Sequence, residues 1–354
     1  MIVVRVLAIV VGLTGVFAVL ASAIRTVVVP RGESTWLAKV VQVSVTAAFG
    51  VLARPSRSYL VRDRWLARQA PTALVLLPLV WSVAVVVSFW PVHWALGSDG
   101  WDGLVLSASS LTTLGFARGG TVPDDLVAAF EALIGLGLVA LMISFLPTIY
   151  GRFAQRERPM ARLALLAGSP PDPALLLIRT YDAGVLGDLD ETWNEWEVWF
   201  ADLREAHTSF IALNFFRSQD PHTHWLTAAG VALDSAALGM AALEPANRHG
   251  GLLMRTGFDT LRQIADQFDI EYDPDPAPTD PISVPRESFQ AVVDQLADAG
   301  LPVRQDQEQI WRDWAGWRVN YDSVLVALAR LTHAPPSRML REDYRSPDAE
   351  SPSA

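Results

Sequence analysis

Cysteine is absent from the 354 residues, which excludes a disulfide scaffold, thiol catalysis, iron–sulfur clusters and cysteine-ligated zinc. Lysine is nearly absent: of 28 basic residues only Lys39 is one, so almost every cation is an arginine. Charge as a whole is scarce, at 19% of residues against 51% hydrophobic, with a mean hydropathy of +0.25. The scarcity is uneven. Residues 1–158 hold 13 basic and 8 acidic side chains, net +5, whereas the remainder hold 15 and 30, net −15. Two parts in different surroundings are expected. The acidic second part argues against a nucleic-acid partner. No Walker loop and no Gly-x-Gly-x-x-Gly after a strand occurs, so a nucleotide domain is not expected. His207, His222 and His224 lack His-Glu-x-x-His or Glu-x-x-His spacing. No metal, cofactor or enzymatic activity is therefore expected.

What the chain does have is long uncharged runs. A helix needs about 20 apolar residues to cross a bilayer, and a charge at the centre costs several kcal/mol. Nineteen residues separate Arg5 from Arg25, 30 uncharged residues run from Gln69 to Ser98, and 20 follow Glu131. They predict spans at Ile2–Val29, Pro71–Leu96 and Asp125–Gly151. Trp36–Ala53, with Lys39 near one end, is a fourth candidate. Ile2–Ala23 also reads as a signal peptide with a site at Ala21-Ser22-Ala23, but the apolar run continues to Val29.

Arginine sets the orientation. Arg54, Arg57, Arg62, Arg64 and Arg68 fall in one loop, and Arg152, Arg156, Arg158 and Arg162 follow the last span. Both groups are expected in the cytoplasm, with the N- and C-termini, in a multi-pass inner-membrane protein. The connection Gly97–Asp124 is then external. Within it, Trp101–Leu111 is apolar enough to enter a membrane and too short to cross it. It leads into Thr112-Thr113-Leu114-Gly115-Phe116. Non-helical backbone at membrane depth is tolerated where it lines an aqueous cavity. Carbonyls repeated around an axis can there replace a cation's hydration shell.

Helix, short re-entrant helix, Thr-Thr-Leu-Gly-Phe, helix resembles the pore module of the potassium channel superfamily over about residues 71–152. The family pattern is Thr-Thr-Val-Gly-Tyr/Phe-Gly-Asp. The resemblance implies a homotetramer passing a monovalent cation, potassium in the family. Thr112, Thr113, Leu114, Gly115, Phe116 and Ala117 would form the ion filter, and Gly135 or Gly137 the gating hinge of the inner helix. Two residues depart from the pattern. Ala117 replaces the second glycine, where a positive φ would cost roughly 1 kcal/mol. Arg118 replaces an acidic residue at the outer mouth, leaving Asp124 and Asp125 as its candidate partners. These departures support a second reading, a weakly selective or non-conducting receptor or scaffold with a channel fold.

Glu131 reads either as a carboxylate inside the membrane or as a group behind the filter partnered by Arg118. Gly135 and Gly137 serve as a hinge or as close-packing positions. Pro147 kinks the last helix or marks its end. No span carries arginine at every third position, so a voltage sensor is not expected. Residues 153–333 read as a cytoplasmic helical domain whose ligand or protein partner the sequence does not identify. Its helices are expected from Ala174 and at Leu189–Ala206, Trp225–Leu243, Gly251–Phe268, Arg286–Ala299 and Gln305–Leu331. Residues 334–354, rich in proline and serine, are expected to be disordered. The expected class is an all-α membrane protein with a re-entrant pore helix and filter. It comprises an N-terminal region (1–70), a pore module (71–152), a helical domain (153–333) and a tail (334–354).

Overall fold

The computed structural model describes residues 1–28, 35–53, 58–244, 250–335 and 337. Arg54, Arg57, His249 and nearly all of the 334–354 tail lie outside the described residues. In chain order the helices are α1 (Ile2–Val27), α2 (Trp36–Ala53), α3 (Tyr59–Leu66), α4 (Gln69–Leu96), α5 (Gly100–Leu111) and α6 (Val122–Ala167). They are followed by α7 (Pro173–Asp182), α8 (Leu189–Ser209), α9 (Trp225–Ala241), α10 (Gly250–Asp266), α11 (Arg286–Asp298), α12 (Gln307–Arg318) and α13 (Asp322–Thr332). No named strand occurs among the described residues; one isolated bridge joins Leu243 and Val303. Four helical stretches are long and apolar enough to cross a membrane: Ile2–Val27, Trp36–Ala53, Tyr59–Leu96 and Val122–Ala167.

The chain forms two compact units, Met1–Arg54 with Trp65–Gly151, and Pro55–Arg64 with Arg152–Ala354. In the first unit α1 and α2 pack on α4. Gly12 and Gly15 of α1 lie against Ser88 of α4 with no room for a Cβ. Trp81, Val85 and Phe89 of α4 are fully buried in the same core. The few polar groups there are paired: Trp81 donates to Ser22 at 3.3 Å and Gln69 to Thr46 at 2.7 Å. By contrast Val75, Leu79, Val83 and Val87 of α4 are more than half exposed. So are Leu126, Phe130, Leu133, Leu136, Val139 and Ile143 of α6. Apolar faces of this kind suit lipid or another helix rather than water. The last helix neither ends at Pro147 nor at Gly151; α6 stays helical to Ala167.

The second unit is a helical bundle around α9, where sixteen of seventeen residues are buried. Six alanines and two glycines among them let neighbouring helices approach closely. Asp172 starts α7 by accepting from the Ala174 and Leu175 N–H groups at 2.8 and 3.4 Å, with Pro173 at the first position. Trp193, Trp196, Phe200 and Leu203 form the buried face of α8, as their spacing predicts. The expected helix Gln305–Leu331 is two helices instead. Arg318 at the end of α12 and Tyr321 before α13 both turn inward to reach buried Asp234. Arg318 Nη1 lies 2.7 Å and Tyr321 Oη 2.7 Å from Asp234 Oδ1. Arg318 also pairs with Asp322 at 2.7 Å. One straight helix places residues three apart on one face but not around a single point, so the chain turns between them.

The loop before α4 belongs to this unit. Tyr59 donates to the Pro221 carbonyl at 3.0 Å, Asp63 pairs with Arg217 at 3.1 Å, and Arg62 lies 3.1 Å from His333 Nδ1.

Candidate functional site

The residues between α4 and α6 build the most unusual chemistry of the first unit. Gly97, at φ 126°, ends α4 in a conformation that favours glycine. His93, one turn earlier, is fully buried. Its Nδ1 lies 2.6 Å from Asp124 Oδ1 and its Nε2 3.0 Å from Glu131 Oε2. Both carboxylates are fully buried and sit seven residues apart, on one face of α6. Ser98 donates to Asp124 Oδ2 at 2.6 Å and Ser107 of α5 to Glu131 Oε1 at 2.5 Å. Neutral imidazole donates through one nitrogen alone. Two carboxylates on one ring therefore require a further proton on the ring or on a carboxyl. The cluster ties α4, α5 and α6 together through groups that would be costly to leave unpaired.

The segment after α5 folds back on that helix. Thr113 N–H donates to Ser110 O and Leu114 N–H to Ser109 O, both at 2.9 Å. The Ser109 hydroxyl accepts from Phe116 N–H at 3.1 Å and Ala117 N–H at 3.3 Å. Thr113 and Gly115 have positive φ, 57° and 68°. For a β-branched threonine this costs roughly 1–2 kcal/mol. Such strain persists where neighbouring bonds impose it and is concentrated at functional segments. The Leu114 N–H bond to Ser109 O closes the C-terminus of α5 around left-handed Thr113. Leu114 and Phe116 are exposed, at 69% and 68%. The C-terminal end of α5, with its partial negative charge, meets the start of this segment.

The structure brings Thr112, Thr113, Leu114, Gly115, Phe116 and Ala117 into one segment. Ala117 does not adopt a positive φ, so the penalty anticipated there does not arise. Arg118 is exposed and, among the described residues, has no ion pair or hydrogen bond. Asp124 and Glu131 do not partner it, because His93, Ser98 and Ser107 hold them instead. Asp125 accepts from Gly119 N–H at 2.8 Å. Gly135 lies directly against the Leu111 carbonyl at the end of α5, where a Cβ would overlap backbone. Gly137 has open space around it, and Pro147 lies within α6.

His93, Ser98, Ser107 and Ser109 were missed from sequence. A signal for His93 was present, an ionisable ring within an apolar span, which by the rule applied to Glu131 marks a site.

In the second unit His207 and His224 are buried and bonded within the bundle, whereas His222 is exposed. His224 Nδ1 accepts the Leu226 N–H at 3.2 Å at the start of α9. His207 Nδ1 lies 2.8 Å from Asn214 Oδ1. Burial, aided by nearby arginines, holds both well below the usual histidine range. Burial and the Arg62 and Arg217 charges push His333 down to about 4. Burial works against the charge on Arg318, but the Asp234 and Asp322 carboxylates outweigh it and raise its pKa. Among the described residues no group of three or more His, Asp or Glu could hold a metal ion.

The class this defines is an all-helical chain, among its described residues, with four stretches able to cross a membrane. No family model, curated protein or solved structure matches it.

Proposed function

We propose that the chain is a cation channel of the inner membrane, in which four copies surround one pore. In this reading α5 is a re-entrant pore helix, and residues 112–117 supply the filter carbonyls for a monovalent cation such as potassium. The observation that carries it is the segment Thr112–Ala117. It is bonded back to a helix of only 12 residues, too short to span, and positive φ alternates along it. Four copies are needed because one segment cannot enclose an ion, and closed cyclic rings are the usual solution. The exposed apolar faces of α4 and α6 offer surfaces for lipid and for neighbouring copies.

The proposal includes a topology. Residues 58–64 precede α4 and residues 152 onward follow the apolar part of α6, yet both belong to one compact unit. In this reading the two stretches between them go out and return. With arginines at both ends, that unit and both termini are cytoplasmic. Gly135, packed on the end of α5, is suited to link movement of α6 to the filter.

A non-conducting receptor of the same fold is the second reading, favoured by Arg118, whose charge has no partner among the described residues. Rubidium uptake into liposomes containing the purified protein separates the two. The channel reading expects uptake that Gly115→Asp abolishes; uptake unchanged by that substitution refutes the filter assignment.

A further inference from the structure

We infer that Arg118 forms a ring of fixed positive charge at the external mouth, which restricts cation entry from outside more than exit from within. The inference rests on the tetrameric channel reading and adds to it a residue that makes conductance unequal in the two directions.

Three observations carry it. The first is position. Ser109 holds the backbone just before Arg118 through the Phe116 and Ala117 N–H groups. Asp125 and Asp124 hold it just after, accepting from Gly119 N–H at 2.8 Å and Gly120 N–H at 3.2 Å. Arg118 is thus fixed at the end of the candidate filter segment rather than carried on a loose loop. The second is exposure without compensation. The side chain is exposed and has no carboxylate within ion-pair distance among the described residues. The third is that the nearest acidic residues in sequence are otherwise engaged. Asp124 is fully buried against His93 and Ser98, so it cannot turn outward without breaking both contacts. Asp125 caps the Gly119 turn, and exposed Asp99 and Asp102, at the other end of α5, form no ion pair with Arg118.

Four such charges around one axis create a positive potential at the pore entrance and lower the local cation concentration there. Cations arriving from the other side do not cross that entrance before reaching the filter. The effect must depend on salt. Screening acts over about 30 Å at 0.01 M and about 3 Å at 1 M, so the ring is felt in dilute salt and hidden in concentrated salt.

The absence of cysteine gives a clean test. Arg118→Cys introduces the chain's one thiol, and charged membrane-impermeant thiosulfonates then set the charge at that position from one side. In planar bilayers at 0.01 M potassium chloride, a reagent carrying a negative group should raise current entering from the treated side by on the order of tenfold. A reagent of similar size carrying a positive group should return it to the wild-type value. At 1 M salt the two should differ by less than about twofold. Arg118→Lys should behave as wild type. Equal effects of both reagents, or a difference that persists at 1 M, would overturn the inference. Wild-type current that Gly115→Asp removes but that ignores charge at position 118 sinks this inference alone. Absence of any wild-type current sinks the channel reading as well.

Discussion

Replacing His93 with leucine removes the one group that joins two buried carboxylates. Asp124 and Glu131 are each fully buried, with 2.6 and 3.0 Å contacts to the ring. Breaking a buried pair by deleting one partner costs about 3–5 kcal/mol, because the remaining charge is left in a dry site. Two contacts are lost here, but Ser98, Gly120 N–H and Ser107 still serve the carboxylates. A total of about 4 kcal/mol is therefore expected. At roughly 2–4 °C per kcal/mol for a unit of this size, His93→Leu should lower Tm by on the order of 10 °C. Thermal unfolding of the purified protein in detergent measures this, and amide exchange should show loosening of residues 100–117 first. The double variant His93→Leu with Glu131→Leu removes one of the orphaned carboxylates and should recover at least about 1 kcal/mol. A single variant that melts within about 2 °C of wild type would show that the cluster does not hold α4, α5 and α6 together.

Other predictions follow from the same geometry. Gly135→Ala places a methyl group into the Leu111 carbonyl and should cost about 1–3 kcal/mol. Gly137→Ala meets nothing within 4 Å and should be neutral or stabilise by up to about 1 kcal/mol; equal melting shifts for the pair would contradict the packing described. Arg318→Met leaves buried Asp234 without its guanidinium and should destabilise the second unit by about 3–5 kcal/mol, read by its melting; no loss would show the pair to be dispensable. His207, His224 and His333 have folded pKa values below the unfolded value. Above about 6.5 both states are neutral and no stability is lost; as pH falls from there toward about 4, the unfolded state gains protons first. Tm should therefore drop between pH 7 and pH 5, and His333→Gln should flatten part of the slope. An unchanged Tm over that interval would refute the burial of these rings as neutral groups.

The four helices long and apolar enough to cross a membrane were legible because gaps between charges need no tertiary knowledge. The bundle helices were legible from apolar spacing, as in Trp193, Trp196, Phe200 and Leu203. What sequence hid is what distance in the chain hides. His93 meets Asp124 and Glu131 across 31 and 38 residues, and Tyr59 meets Pro221 across 162. Nothing local marks those pairings, so Glu131 was offered Arg118 and residues 58–64 were joined to the spans. The break between α12 and α13 was likewise set by a remote group, Asp234, and not by a proline or glycine at the turn. Of the two readings of Pro147, a kink or an end, the structure excludes the end. The helix α6 runs through it to Ala167.

The central claim is that residues 112–117 conduct a monovalent cation in an assembly of four chains. Single-channel recording of the purified protein in planar bilayers with symmetric potassium tests it most directly. The account predicts discrete unitary currents that vanish in Gly115→Asp while the variant still melts and assembles as wild type. A silent bilayer with folded, four-chain wild-type protein, or currents indifferent to Gly115→Asp, would contradict it.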